Sequence, residues 1–243
     1  SERTAFQEPA QKPGRSIVTC TGRCPGDKSV IEAAGVCEGD HGLLASPDPE
    51  LRDGVAYEAL THMLRAKQLS DETKRALLVD LVARLNAPAG AGFEQPFAAL
   101  ALSEVARADR IEAFLSEDEL IKLLVDAQHW FINISDYRGF SDTEGWRHAV
   151  AHGSDLLMQL ALNPKVDEEG LRVIVSAVGM QVAPKGHAYV CGESERLGGD
   201  CGNLLIKRFG AVEVEVGQVL LGGLARTGCE REEEGGSRPG PHA

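Results

Sequence analysis

Between about residues 46 and 190, apolar and polar positions alternate with the period of amphipathic helices. In "LRDGVAYEALTHML", for example, an apolar residue recurs every four positions at Leu51, Val55, Ala59 and Met63, with Leu60 and Leu64 beside them. We expect this stripe to face a core. Strand patterns are scarce here, and six helices are predicted, at 46–68, 70–85, 95–108, 116–132, 141–162 and 167–184.

Capping residues mark where these helices begin. Asp48 is the predicted N-cap of the first helix, and Pro49 occupies its first helical position. In a capping box a Ser and a Glu three residues later satisfy each other's backbone N–H groups. This pattern predicts the starts of the fourth and fifth helices, at Ser116 with Glu119 and at Ser141 with Glu144.

Short connections between successive helices favour antiparallel neighbours. The predicted fold class is therefore all-α, with antiparallel helix pairs stacked as a HEAT-like α-solenoid over residues 46–197. Residues 1–45 and 198–243 are richer in Gly, Pro and charge, and we expect an irregular N-terminal segment and a Gly-rich, partly disordered C-terminal segment. "GAVEVEVGQVLLGG" (210–223) alternates like a strand without an obvious partner.

Charge and composition narrow the function classes. The 243 residues carry a net charge of −12, which disfavours nucleic acid and anionic membrane surfaces as partners. No apolar run approaches the roughly 20 residues of a membrane span, and no signal peptide is recognised. The six cysteines avoid residues 38–190, which favours free thiols over a disulfide framework or a zinc site. These features predict a cytoplasmic protein.

Candidate chemistry is concentrated in "GWRHAVAHGSDLL" (145–157). On a helical wheel His148, His152 and Asp155 share one narrow stripe, while the rest of that helix is almost entirely apolar. A helix that is apolar nearly all round is usually buried. The stripe is therefore predicted to face a partly enclosed groove.

Three roles fit these residues. His148 and His152, at i and i+4, could bind a divalent metal with a third ligand from elsewhere, although the glutamate of the "HExxH" motif is absent. A histidine oriented by a carboxylate such as Asp155 could act as a general acid or base. Alternatively, the three side chains bond to loop backbone, to Arg138 or to one another, and lock helices together.

The preceding loop, "SDYRGFSDTEGW" (135–146), supplies candidate ligand-binding residues: Asp136, Arg138, Asp142 and Trp146. Arg138 can pair a carboxylate bidentately, either Asp136 or Asp142 within the loop or one on a ligand. The competing interpretation is an ion-paired turn over an aromatic cluster.

The segment "DYRGFSDTEGWRHAVAHGSDLL" (136–157) resembles the bacterial family called domain of unknown function 2785. The blocks at 51–60, 93–110 and 193–197 ("ESERL") are similar to that family in the same order. The resemblance implies a helical-repeat fold and no known reaction. The first 45 residues and those after the "ESERL" block depart from the family pattern.

Two functions are therefore expected. The first is a ligand- or partner-binding module, for an unknown protein or small molecule, with a groove lined by residues 136–155. The alternative is a hydrolase that uses His148, His152 and Asp155 for metal-assisted or acid–base chemistry. The chain has no nucleophile elbow, phosphate loop or dinucleotide fingerprint.

Overall fold

The computed structural model describes residues 42–200, apart from positions 183 and 185. The predicted segments 1–45 and 198–243 lie mostly outside these residues, as do the 210–223 strand pattern and every cysteine except Cys191. In the described part the only strands form one two-stranded hairpin, and the rest of the regular structure is helical. The all-α prediction is confirmed.

A short 3-10 turn, Leu43–Ala45, and a π-helical segment, Glu50–Tyr57, lead directly into helix α1. The longer helices follow in chain order: α1 Glu58–Arg65, α2 Asp71–Leu85, α3 Glu94–Ile111, α4 Glu117–Ile132, α5 Ala149–Leu162 and α6 Glu168–Gln181. Between α4 and α5 the hairpin pairs β1 (Phe140–Ser141) with β2 (Gly145–Trp146). After α6 come the single turn α7, Glu193–Glu195, and a π-helical turn, Arg196–Asp200.

Local capping explains several helix starts. The Ser116 side chain accepts a hydrogen bond from the Glu119 backbone N–H while Glu119 reaches back to Ser116, so the predicted capping box is confirmed. At the start of the π-helical segment, the Asp48 side chain accepts a hydrogen bond from the Glu50 backbone N–H at 2.9 Å. Asp167 caps α6 by accepting from the Gly170 N–H at 2.9 Å.

The odd-numbered helices form one contact series and the even-numbered helices another, and the two series also pack against each other through successive helices, most extensively α2 against α3. Helix α3 lies between α1 and α5, and α4 lies between α2 and α6, with the most extensive contact between α3 and α5. Buried leucines, alanines and phenylalanines fill the space between the two series, and Phe97, Leu102, Phe131 and Leu157 are at most 2 % exposed. This arrangement brings α1, α3 and α5 together at one side of the core.

The predicted stripe on the first helix is wrong in its first half. Leu51 and Val55 are 41 % and 49 % exposed, whereas Arg52 and Ala56 are completely buried. The buried face of this segment starts at Arg52. Its guanidinium can be buried because it donates hydrogen bonds to the carbonyl oxygens of Ser46 and Glu144. The apolar stripe predicted from periodicity did not include Arg52.

No helix among residues 42–200, the two omitted positions aside, is both long and apolar enough to cross a bilayer.

Candidate functional site

Helix α5 begins later than the sequence predicted, and His148 precedes it. Residues 140–146 form the hairpin, in which Phe140 pairs with Trp146. Ser141 Oγ does accept from the Glu144 N–H at 3.0 Å, but this bond closes the hairpin turn and does not cap a helix. His148 then adopts a left-handed conformation, with φ of 51°. Such a conformation is uncommon for a residue other than glycine and points to a local constraint.

A cavity of about 420 Å³ lies beside α1, α3 and α5. Its volume falls within the range of small-molecule sites, about 300–1,000 Å³. His148, His152 and Asp155 all line it, so the structure brings together the three residues that the sequence singled out. The other polar lining side chains are Tyr57, Arg65, Ser103, Glu104, Arg107, Gln159 and Arg196.

The His148 side chain is fixed on two sides. Its Nε2 atom lies 3.1 Å from the Cys191 carbonyl oxygen and 3.5 Å from Glu193 Oε1. Trp146 stacks on the imidazole with ring centroids 4.0 Å apart. Burial lowers the pKa of His148, and the Glu193 carboxylate and the Cys191 carbonyl partly oppose that shift.

His152 is buried on α5. Its ring meets the edge of Phe97 with centroids 5.0 Å apart and lies perpendicular to the His148 ring at 6.0 Å. Its Nδ1 atom is buried and has no hydrogen-bond partner among the described residues. Burial is the main cause that lowers the pKa of His152 to about 3, so the ring is neutral near pH 7.

Two ion pairs flank the cavity. Arg65 binds Glu104 through both carboxylate oxygens, at 2.5 and 2.9 Å, and Arg196 Nη1 lies 2.6 Å from each oxygen of Asp155. Arg107 also lines the cavity, but it forms no ion pair with any residue that the structure describes. Among the described residues, the cavity therefore presents one guanidinium that no carboxylate neutralises.

The residues present give little support to the metal alternative. The structure brings no group of three His, Cys, Asp or Glu side chains into metal-binding geometry within the described ranges. Near His148 the carboxylate is Glu193, and Asp155 is engaged by Arg196 instead.

The four candidate ligand-binding residues of the 135–146 loop do not line the 420 Å³ cavity. Arg138 pairs with Asp136, at 2.8 and 2.5 Å, which is one of the pairings that the sequence left open. Asp136 lines a second, smaller cavity of about 230 Å³, between α2, α4 and the start of α5. Asp142 is exposed in the hairpin turn. Trp146 covers the His148 ring without lining either cavity.

Sequence reasoning missed Glu193, Arg196 and Arg107. The first two lie in the "ESERL" block, which carried the family resemblance but shows no periodicity that would connect it to His148. Arg107 belongs to α3, where it reads as one polar position of an amphipathic helix.

The family model described as "Protein of unknown function (DUF2785)" matches residues 81–208, more than half of the chain. The chain belongs to this family. The resemblance stated from the sequence is confirmed, whereas the bacterial origin stays a prediction. The DUF2785 match includes Arg107, His148, His152, Asp155 and Glu193, while Tyr57 and Arg65 lie before it. Searches of the curated proteins and of the solved structures each return no significant match.

Proposed function

We propose that this DUF2785 protein binds a small anionic molecule in the cavity beside α1, α3 and α5. The observation that carries the proposal is Arg107, which lines the cavity without an ion-pair partner among the described residues. Arg65 and Arg196 line the same cavity, and each is already neutralised by a carboxylate. A partly buried guanidinium is stabilised by a carboxylate or phosphate that it can bind in a fork geometry.

The remaining lining side chains suit a polar ligand. Gln159 and the two histidines offer hydrogen-bonding groups around the guanidinium. Burial raises the pKa of Tyr57, so its phenol keeps its proton and can donate. A few convergent polar groups in a preformed concavity are what small-molecule sites share.

Calorimetric titration of the full chain with malate, citrate and glycerol phosphate tests this function. We expect one or more of these anions to bind, and Arg107→Gln to weaken that binding at least about tenfold, since a hydrogen bond to a charged group contributes about 1.5–3 kcal/mol. Arg172→Gln is the matched control, because Arg172 is on α6 and pairs with the exposed Glu168. The proposal fails if none of the three anions binds, or if Arg107→Gln binds as tightly as the wild type.

We also propose that the helices form a HEAT-like solenoid. The contact series α1–α3–α5 and α2–α4–α6, together with the contacts between successive helices such as α2 and α3, support this arrangement, because stacked helix pairs place every second helix in the same layer. The cytoplasmic location remains a prediction from the sequence.

A further inference from the structure

The contact between Glu193 and His148 has no part in anchoring an anion. The Glu193 side chain is 5 % exposed, and its Oε2 accepts a hydrogen bond from the Cys191 backbone N–H at 3.0 Å. Its Oε1 faces His148 Nε2 at 3.5 Å, and the Cys191 carbonyl oxygen lies 3.1 Å from the same nitrogen. Both neighbours of Nε2 are acceptors, so in the neutral ring this nitrogen carries the hydrogen.

The other ring nitrogen of His148 then holds a lone pair. Nδ1 has no hydrogen-bond partner in the part of the chain that the structure describes, and His148 lines the cavity. The ring is held in this orientation, because Trp146 packs against its face and Nε2 is hydrogen-bonded to the Cys191 carbonyl. Nε2 is hydrogen-bonded to the Cys191 carbonyl with the buried Glu193 carboxylate 3.5 Å away, and Nδ1 is available to a proton, which is the arrangement of a general base beside an orienting carboxylate.

The carboxylates and the serine hydroxyl that line the cavity are already engaged by other groups. Asp155 is bound to Arg196, and Glu104 to Arg65. The Ser103 hydroxyl donates to the Leu100 carbonyl at 2.7 Å. A water molecule is therefore the nucleophile that His148 can activate.

We propose that His148 is the general base, and Glu193 its positioning residue, for the hydrolysis of small anionic esters. The choice of an anionic substrate rests on the proposed function, in which Arg107 binds the anionic group. His148 Nδ1 takes a proton from water, and the water oxygen attacks the ester carbonyl carbon. The carbon–oxygen bond to the alcohol then breaks, and the imidazolium returns its proton to the departing alkoxide. The products are a carboxylic acid and an alcohol, and nothing is oxidised or reduced.

The test measures 4-nitrophenol release by the full chain from the mono-4-nitrophenyl esters of succinate and glutarate. Neutral 4-nitrophenyl acetate is the comparison substrate. His148→Asn removes the base and suits the left-handed backbone, which Asn tolerates. We expect its kcat to fall about 100-fold, the lower end of general-base contributions. His62→Gln, at an exposed position on α1, is the control and should keep the wild-type rate.

Glu193→Gln separates positioning from a structural role. The Glu193 charge raises the pKa of His148, while Arg196 lowers it and the neighbouring His152 ring stays neutral. Removing that charge should reduce kcat, leave KM unchanged and move the acidic limb of the pH–rate profile to lower pH. Glu193→Asp, which keeps the charge, should retain the position of that limb. A change in folding alone would not produce this difference.

The possible failures are distinguishable. The hydrolysis proposal is overturned if the wild type is no faster than His148→Asn, or if the acidic limb of Glu193→Gln stays in place. If anions still bind in the calorimeter, only the hydrolysis proposal fails. If they do not bind, the proposed function fails as well.

Discussion

Gly153 on α5 packs directly against the ring of Phe131 on α4, and the contact leaves no room for a side chain. A Cβ atom at this position would overlap the Phe131 ring and lie 2.9 Å from Trp130 Cζ3. His152 is the adjacent residue, so this close contact between α4 and α5 lies next to the candidate site. The absence of a side chain here is therefore a packing requirement of the candidate site.

We expect Gly153→Ala to lower the free energy of unfolding by about 1–3 kcal/mol, the usual cost of overpacking. Gly179→Ala on α6 is the matched control, because nothing lies within 4 Å of its Cβ position. That substitution should be neutral or stabilise by about 0.5–1 kcal/mol, since alanine favours a helix interior. Urea denaturation of the three proteins measures both effects. Equal stability of Gly153→Ala and wild type would contradict the packing described here.

Asp109, which is 1 % exposed, joins the end of α3 to the end of α5. Its Oδ1 accepts from the Phe114 and Leu115 backbone N–H groups at 2.8 and 2.7 Å, and its Oδ2 from Asn163 Nδ2 at 2.8 Å. Asp109→Ala removes the shared acceptor of these three buried donors, so we expect a loss of about 3 kcal/mol or more in the free energy of unfolding. Asp126→Ala removes only an ion pair to the exposed Lys122 and should cost under about 1 kcal/mol. Chemical denaturation that gives the two variants similar stability would refute this assignment.

The helices were predictable where local rules decide them. Ser70 and Ser116 cap α2 and α4 as expected, because an N-cap is a contact between residues three positions apart. His152 and Asp155 line the same cavity, as their helical spacing predicted, while His148 reaches it from the left-handed backbone position that precedes α5.

The features that the sequence did not predict depend on contacts between distant parts of the chain. Because the hairpin occupies residues 140–146, α5 starts later than predicted. Ser141 and Glu144 have the spacing of a capping box, so the sequence does not distinguish the hairpin turn from a helix start. The partner of His148 is Glu193, which follows α6 in the sequence and reaches the site only after the chain has folded back. Sequence spacing had suggested Asp155 for that role.

Arg52 is another residue whose position depends on distant contacts, and it gives a further prediction. The side chain is fully buried, its guanidinium lies 4.3 Å from the Phe93 ring centroid, and it donates to the Ser46 and Glu144 carbonyls at 2.9 Å each. Arg52→Met would fill similar space but leave both carbonyls without that donor, so we expect a loss of about 2–4 kcal/mol. Arg172→Met, at an exposed helix position, should cost under about 0.5 kcal/mol. Differential scanning calorimetry that finds Arg52→Met as stable as the control would show that these bonds contribute nothing.

His152 makes stability depend on pH. Its pKa is about 3 in the folded chain against 6.5 for an ordinary histidine, so the folded state binds fewer protons than the unfolded state between those values. The neutral His152 ring makes its full contribution to the free energy of unfolding above about pH 6.5, and this contribution is lost as the pH falls toward 3. The slope from this one group is at most about 1.4 kcal/mol per pH unit.

His152→Gln should abolish this slope, because glutamine does not titrate. We expect the wild type to lose stability steadily between pH 7.5 and 5, and the variant to lose less over the same interval. His62→Gln, which removes an exposed histidine, should follow the wild type. Denaturant unfolding at pH 7.5, 6.0 and 5.0 gives the comparison. His148 contributes a loss of the same sign, since burial lowers its pKa too, and it is present in both proteins. Parallel pH profiles for wild type and His152→Gln would mean that the ring titrates normally, and that water reaches it through the cavity.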